Sequence, residues 1–111
     1  MGLRDEQAAF LLDAGRLIAH ATREGFMVTG GELYRTMEQQ RIYVQSGRSQ
    51  TMNSKHLERR AIDLNFFKEG ILIQDEESLR AVGQFWEALS PKNKWGGSWK
   101  SFKDLGHFER Q

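Results

Sequence analysis

Cysteine is absent from this 111-residue chain, and proline occurs once, at Pro91. Without cysteine there is no disulfide framework, no thiol nucleophile and no sulfur-ligated zinc or iron–sulfur centre. A metal site has to be built from His, Asp and Glu, and there are only three histidines. No apolar run approaches the roughly 20 residues of a membrane-spanning helix. A charge excess is missing as well: 16 Lys and Arg stand against 15 Asp and Glu, a net +1. That balance supplies no global drive toward nucleic acid or a membrane surface. The opening residues, Met1-Gly2-Leu3-Arg4-Asp5-Glu6, are acidic where a secretory leader is basic and then apolar. Glu6 also stands where a myristoylation motif has Ser or Thr. These absences lead us to expect a protein made in the cytoplasm without a signal peptide, with no membrane insertion and no nucleic-acid partner.

What is present describes a folded domain. Hydrophobic residues make up 39% and charged residues 28%, an ordinary globular balance, and the length suits one domain, residues 1–111, with a core of its own. Ala8, Leu11, Leu12, Gly15, Ile18 and Ala19 recur at helical spacing and predict a helix from about Asp5 to Arg23, stopped by Gly25. Phe26 to Thr29 reads as a short strand, and a second helix follows from Thr36 to Val44. Gln45 to Lys55 is polar and reads as a loop. Arg60 to Phe67 alternates, with Ile62, Leu64 and Phe66 on one face and Ala61, Asp63 and Asn65 on the other. That is a half-buried strand, and Lys68-Glu69-Gly70 turns it into Ile71-Leu72-Ile73 as a hairpin. Asp75-Glu76-Glu77 starts a helix to about Leu89, burying Leu79, Val82, Phe85, Trp86 and Leu89. Lys92 to Gln111 is irregular and aromatic, with a last short strand at Gly106 to Glu109. Helices and hairpins without a β-α-β rhythm predict an α+β fold, a small antiparallel sheet with flanking helices.

Three polar residues carry the chemistry. His56 closes the polar loop, Asp63 lies on its strand's polar face, and His107 precedes Phe108 near the C-terminus. Singly, each is most simply a turn residue or a surface charge. If the two strands are neighbours, His56, Asp63 and His107 converge, and two imidazoles with one carboxylate leave a fourth position open to water, as in catalytic zinc sites. Asp104, three residues before His107, then stands near the bound water as a candidate base.

Ser54-x-His56 followed by Ala61-x-Asp63 resembles the Ser-x-His-x-x-Gly-x-Ala-x-Asp motif of the D-alanyl-D-alanine carboxypeptidase and L-alanyl-D-glutamate endopeptidase family. Trp95-Gly96-Gly97-Ser98-Trp99-x-x-Phe102-x-Asp104-x-x-His107-Phe108-Glu109 resembles the family's second motif, in the form of phage endolysins. Gly31 to Thr36 is similar to the segment that carries a substrate-facing arginine. The resemblance implies one Zn2+ held by His56, Asp63 and His107, with Asp104 as the catalytic carboxylate and Arg35 as the cation that polarises the scissile carbonyl. Ser54 would hydrogen-bond beside the site. Arg59 stands where the family usually has Gly, and its side chain would narrow the cleft or touch the substrate. The implied protein is a monomeric zinc peptidase acting on peptidoglycan stem peptides, cutting the L-alanyl-D-glutamate bond in phage-type lysis. D-alanyl-D-alanine carboxypeptidase activity at the same residues is the near alternative, and a non-catalytic zinc-binding interaction domain is the alternative of another class. With no separate cell-wall-binding domain in 111 residues, the enzyme would suit a thin, accessible wall, reached after another factor releases it.

The remaining features divide between function and packing. Trp95 and Trp99 flank Gly96-Gly97 and suggest part of a cleft wall, whereas Phe102 and Phe108 read as core. His20, beside the first helix's apolar stripe, reads as packed or solvated, and Glu109 either supports the site or is a surface charge. Two basic stretches, Lys92-Lys94-Lys100-Lys103 and Arg41-Arg48-Lys55-Arg59-Arg60, would attract anionic envelope polymers or form a solvated face.

Overall fold

The computed structural model describes residues 2–111. Helix α1, Leu3–Arg23, buries Phe10, Ala14, Leu17 and Ala21, a stripe at helical spacing. This is not the face the apolar pattern predicts: Leu11 and Leu12 are each 58% exposed. The buried face also takes in two acids, and their partners explain the choice. Glu6 meets Arg110 Nε at 2.5 Å and Lys92 Nζ at 2.8 Å, while Asp13 accepts from Asn93 Nδ2 at 3.2 Å and Arg16 at 3.0 Å. Glu6 and Asp13 thereby tie the start of the chain to its end.

Strand β1, Met27–Gly30, pairs with β2, Ala61–Lys68, and β3, Ile71–Leu72, closes a hairpin on β2. Glu69 and Gly70 at the hairpin tip both have positive φ, the geometry of a two-residue turn that matches strand twist. Between β1 and β2 lies α2, Met37–Gln45, whose N-cap Thr36 accepts from Gln39 N–H at 3.1 Å. Helix α3, Glu76–Leu89, is capped by Asp75, which accepts from Ser78 N–H at 2.9 Å. Strands β4, Asn93–Trp95, and β5, His107–Arg110, complete an antiparallel sheet ordered β1-β2-β5-β4, with β3 also on β2. The fold is the expected α+β arrangement. Strand β4 lies inside the stretch read as irregular, because three residues are too few to show alternation.

A chain of edge-to-face aromatic contacts joins the layers: Phe10 to Trp86, Trp86 to Phe108, Phe108 to Phe66 and Phe66 to Phe26, with ring centres 5.6–5.9 Å apart. Such pairs add about 0.5–1.5 kcal/mol each beyond the area they bury. Trp95 belongs to this core, 2% exposed, which corrects its expected place in a cleft wall. Its indole fills the space over Gly83 and Gly97, where any Cβ would collide with it, and its Nε1–H donates to Leu105 O at 2.9 Å. Phe102 is the converse: expected in the core, it is 47% exposed, on a backbone with φ 53°.

The Glu6 cluster makes a stability prediction. Hydrogen bonds from Lys92 and then Arg110 bring the Glu6 pKa down from 4.5 to about 2, against a smaller opposing effect of burial. A carboxylate with a depressed folded-state pKa stabilises the fold above its unfolded pKa, and that contribution fades as pH falls toward the folded value. Glu6→Gln should therefore lower the Tm at pH 7, and the difference from wild type should shrink between pH 4.5 and 2. Thermal unfolding across that range checks it; a Tm difference independent of pH would contradict it.

Candidate metal centre

Strand alternation separates chemistry from core. In the β2–β5 pair Asp63 stands opposite His107, Ile62 opposite Phe108 and Ala61 opposite Glu109. Directly opposed residues share a face, so Asp63, His107 and Glu109 point away from the side that Ile62 and Phe108 pack. Asp63 is fixed from its other flank by the segment after β1: its N–H donates to Glu32 O at 2.9 Å, and its carbonyl accepts from Gly31 N–H at 2.7 Å. A Cβ at Gly31 would stand 3.1 Å from both the Cβ and the carbonyl oxygen of Asp63, a contact tight enough that Asp63 would have to shift by a few tenths of an ångström to admit it. His56 comes from the short 3-10 turn Lys55–Glu58, which Ser54 caps by accepting from His56 N–H at 3.2 Å.

The three side chains converge. One donor atom from each of His56, Asp63 and His107 lies within 4.8 Å of the other two. Asp63 Oδ1 is 3.3 Å from His56 Nε2 and 3.5 Å from His107 Nδ1. Ligands about 2.0–2.1 Å from a tetrahedral ion stand roughly 3.3 Å from one another, so two edges already fit. The outer nitrogens show which atoms face inward. His56 Nδ1 lies 3.0 Å from Leu33 O, an acceptor only, so Nδ1 carries the hydrogen and Nε2 presents its lone pair. His107 Nε2 lies 2.8 Å from Glu109 Oε1, which likewise leaves Nδ1 for the centre. His56 Nε2 and Asp63 Oδ1 are buried without a hydrogen-bond partner. Two unsatisfied acceptors facing each other, behind donors committed outward, fit a divalent cation.

The electrostatics state the same demand. Burial pushes the Asp63 carboxyl up, but the imidazoles of His107 and then His56 beside it prevail and hold it well below the usual carboxylate range. Burial disfavours charge on His107, yet the carboxylates of Asp63 and Glu109 on its two sides outweigh it and raise its pKa to about 9. Glu109 is buried too, but its bond to His107 brings it below its ordinary value. The cluster draws positive charge into itself.

The centre opens on a cavity of about 850 Å³ that Arg35, Ser54, Trp99, Phe102 and Asp104 also line. Arg35 is braced: Nε donates to Glu32 at 2.6 Å, Nη1 to Gln40 at 2.7 Å and to Ser54 Oγ at 3.5 Å. Gln40, fully buried on α2, passes the brace to the 46–54 loop through Ser49 Oγ at 2.9 Å and Thr51 O at 2.5 Å. Asp104 is exposed, with its backbone N–H on Gly96 O at 3.2 Å and its own carbonyl accepting from His107 N–H at 3.2 Å. The Trp99 ring tilts over His107, centres 5.0 Å apart.

Residues 47–110, more than half of the chain, match the family described as D-alanyl-D-alanine carboxypeptidase. The chain belongs to that family. A curated L-alanyl-D-glutamate peptidase of a Listeria phage is 33% identical over 100 residues, covering 86% of this chain and 34% of that protein. The chain thus spans about a third of the length of that relative. The crystal structure of the Serratia marcescens L-Ala D-Glu endopeptidase ChiX matches with a TM-score of 0.72 at 26% identity, over 97% of this chain and 85% of that one. In this family member Arg59, at the usual Gly position, has φ 56°, the left-handed conformation that glycine adopts without strain. Its guanidinium lies 4.6 Å from the centre of the Tyr34 ring and lines a separate small cavity with Arg4, Phe10 and Leu33. Arg59 therefore does not narrow the main cleft, as the sequence suggested. Glu32, Gln40 and Leu33 O are contributors the sequence did not single out; an acid three residues before Arg35 was the one available signal for the first.

The outward bond from His107 predicts a metal-affinity defect. Glu109→Gln should still bind metal, about 10- to 100-fold more weakly, the usual cost of losing a partner that orients a ligand. Competition with a chelator of known affinity measures this. Unchanged affinity would remove Glu109 from the site.

Proposed function

We propose that this chain is a zinc peptidase that cuts the L-alanyl-D-glutamate bond of peptidoglycan stem peptides, in phage-type lysis of a host cell. The observation that carries the reading is the inward-facing triangle of His56 Nε2, Asp63 Oδ1 and His107 Nδ1, opening on the cavity that Asp104 also lines. Support comes from the family membership and from the printed activities of the Listeria phage and Serratia relatives. Action on the wall would follow release by another factor.

His56, Asp63 and His107 would hold the ion. Bound there, zinc supplies Lewis-acid polarisation of a carbonyl and acidifies water. The protein's own residues do the rest. Asp104, solvent-accessible and on a backbone anchored to Gly96 and His107, accepts the attacking water's proton and passes one to the departing glutamate amine. Arg35, held in one orientation by Glu32 and Gln40, sets fixed positive charge at the cavity wall, where the attacked oxygen gains charge. Removing one such preorganised donor typically costs about 10²–10³ in kcat. A purely metal-binding interaction domain has no use for an exposed carboxylate at Asp104.

Digestion of purified peptidoglycan, with and without chelator, followed by mass spectrometry of the products, tests the reading. The expected product is a stem peptide with a newly exposed D-glutamate amine, absent with chelator. Free D-alanine would instead indicate carboxypeptidase action, and no chelator-sensitive product would exclude an enzyme of this kind. In the same assay Asp104→Ala should retain stoichiometric zinc and lose at least about 10²-fold in rate, whereas His56→Ala should lose both zinc and activity. Near-native turnover by Asp104→Ala would overturn its role as base.

A further inference from the structure

Most charged groups around the cavity are already engaged. Arg35 is held by Glu32, Lys55 faces Glu58 at 3.8 Å, Lys103 pairs with Glu76, and Glu109 holds His107. Arg48 is different: among the described residues no carboxylate pairs with it, although it lines the same cavity. Its position is nevertheless built. The turn that ends α2 passes through Gly47 at φ 80°, and the Arg48 N–H donates to Tyr43 O at 2.8 Å. The guanidinium lies 4.4 Å from the centre of the Tyr43 ring, which Arg35 also approaches at 4.6 Å. A guanidinium stacked on an aromatic ring uses its face and keeps its edge N–H donors free, in the fork that matches a carboxylate.

The substrate class proposed above has one group that needs such a partner. In an L-alanyl-D-glutamate unit the glutamate nitrogen is the leaving group. Glutamate has two carboxyls, and the peptide continues through only one of them. The other is a free carboxylate on the leaving side of the scissile bond, and it must enter a cavity that already holds Asp104 and Glu109. Repulsion opposes entry unless a cation meets the group. We propose that Arg48, stacked on Tyr43, binds this free carboxylate of the D-glutamyl residue and selects stem peptides that carry it. The assignment rests on the endopeptidase reading.

Two L-alanyl-D-glutamyl peptides, identical except that the free carboxyl is intact in one and a carboxamide in the other, test the proposal with the zinc-loaded protein. Wild type should prefer the carboxylate by about ten- to hundred-fold in kcat/KM, the size of one charge-assisted bond. The difference should fall in KM, because the contact is present in both ground and transition states. Arg48→Gln should cut both peptides alike, at the rate wild type shows on the carboxamide. Tyr43→Leu, which keeps the charge and removes its platform, should narrow the preference. Equal cleavage of both peptides by wild type, or a preference that survives in Arg48→Gln, would overturn the role of Arg48 and leave the endopeptidase standing. Cleavage of neither peptide by wild type would overturn both.

Discussion

The antiparallel pairing of β2 with β5 puts Asp63 across from His107 and leaves Ile62 and Phe108 on the other side of the sheet. Strand side chains alternate with a period of two, so a slip of one residue would exchange the polar and apolar sets. The aromatic contacts of Phe108 with Trp86 and Phe66 resist that slip from the core side. From the site side, Gly31 and Glu32 bond the backbone of Asp63. Site and core thus depend on the same register.

Given that register, the hydrogen bonds behind the imidazoles decide what the site can hold. Leu33 O and Glu109 each occupy one nitrogen of a histidine and turn the other inward. The arrangement costs stability without a cation, since a buried acceptor left unpaired is worth about 1–3 kcal/mol, and His56 Nε2 and Asp63 Oδ1 are two such atoms. The rest of the fold sustains it through the aromatic core and the Glu6–Arg110 pair, which fastens β5 to α1. Function and stability meet on β5, whose alternate residues serve one and then the other.

The metal-site residues were legible through two motifs taken together, Ser54-x-His56 with Ala61-x-Asp63 and Asp104-x-x-His107; singly, Asp63 is one polar-face residue of an alternating strand and His107 adjoins a core Phe108. The hairpin, α3 and its Asp75 cap follow from local periodicity and turn chemistry. The packing face of α1 does not, because Leu11 and Leu12 mimic a stripe, while the true face depends on Lys92, Asn93 and Arg110, about 80 to 100 residues away. The core position of Trp95, on β4, is hidden for a similar reason, since the space that takes its ring is defined by Gly83 on α3. At Arg59 the resemblance to the family motif suggested a side-chain effect, whereas the structure shows a backbone one: a left-handed residue whose side chain lies outside the main cleft. Buried support such as Gln40 has no sequence signature, because a glutamine on a polar helix looks solvated until its partners are known.

The outer hydrogen bonds select which atoms bind the ion. A crystal structure of the zinc-loaded protein, with the ion located by its anomalous scattering, tests it most directly. One zinc should be bounded by His56 Nε2, an Asp63 carboxylate oxygen and His107 Nδ1, with Leu33 O and Glu109 still on the opposite nitrogens. A zinc bound elsewhere, or through His56 Nδ1 or His107 Nε2, would contradict it.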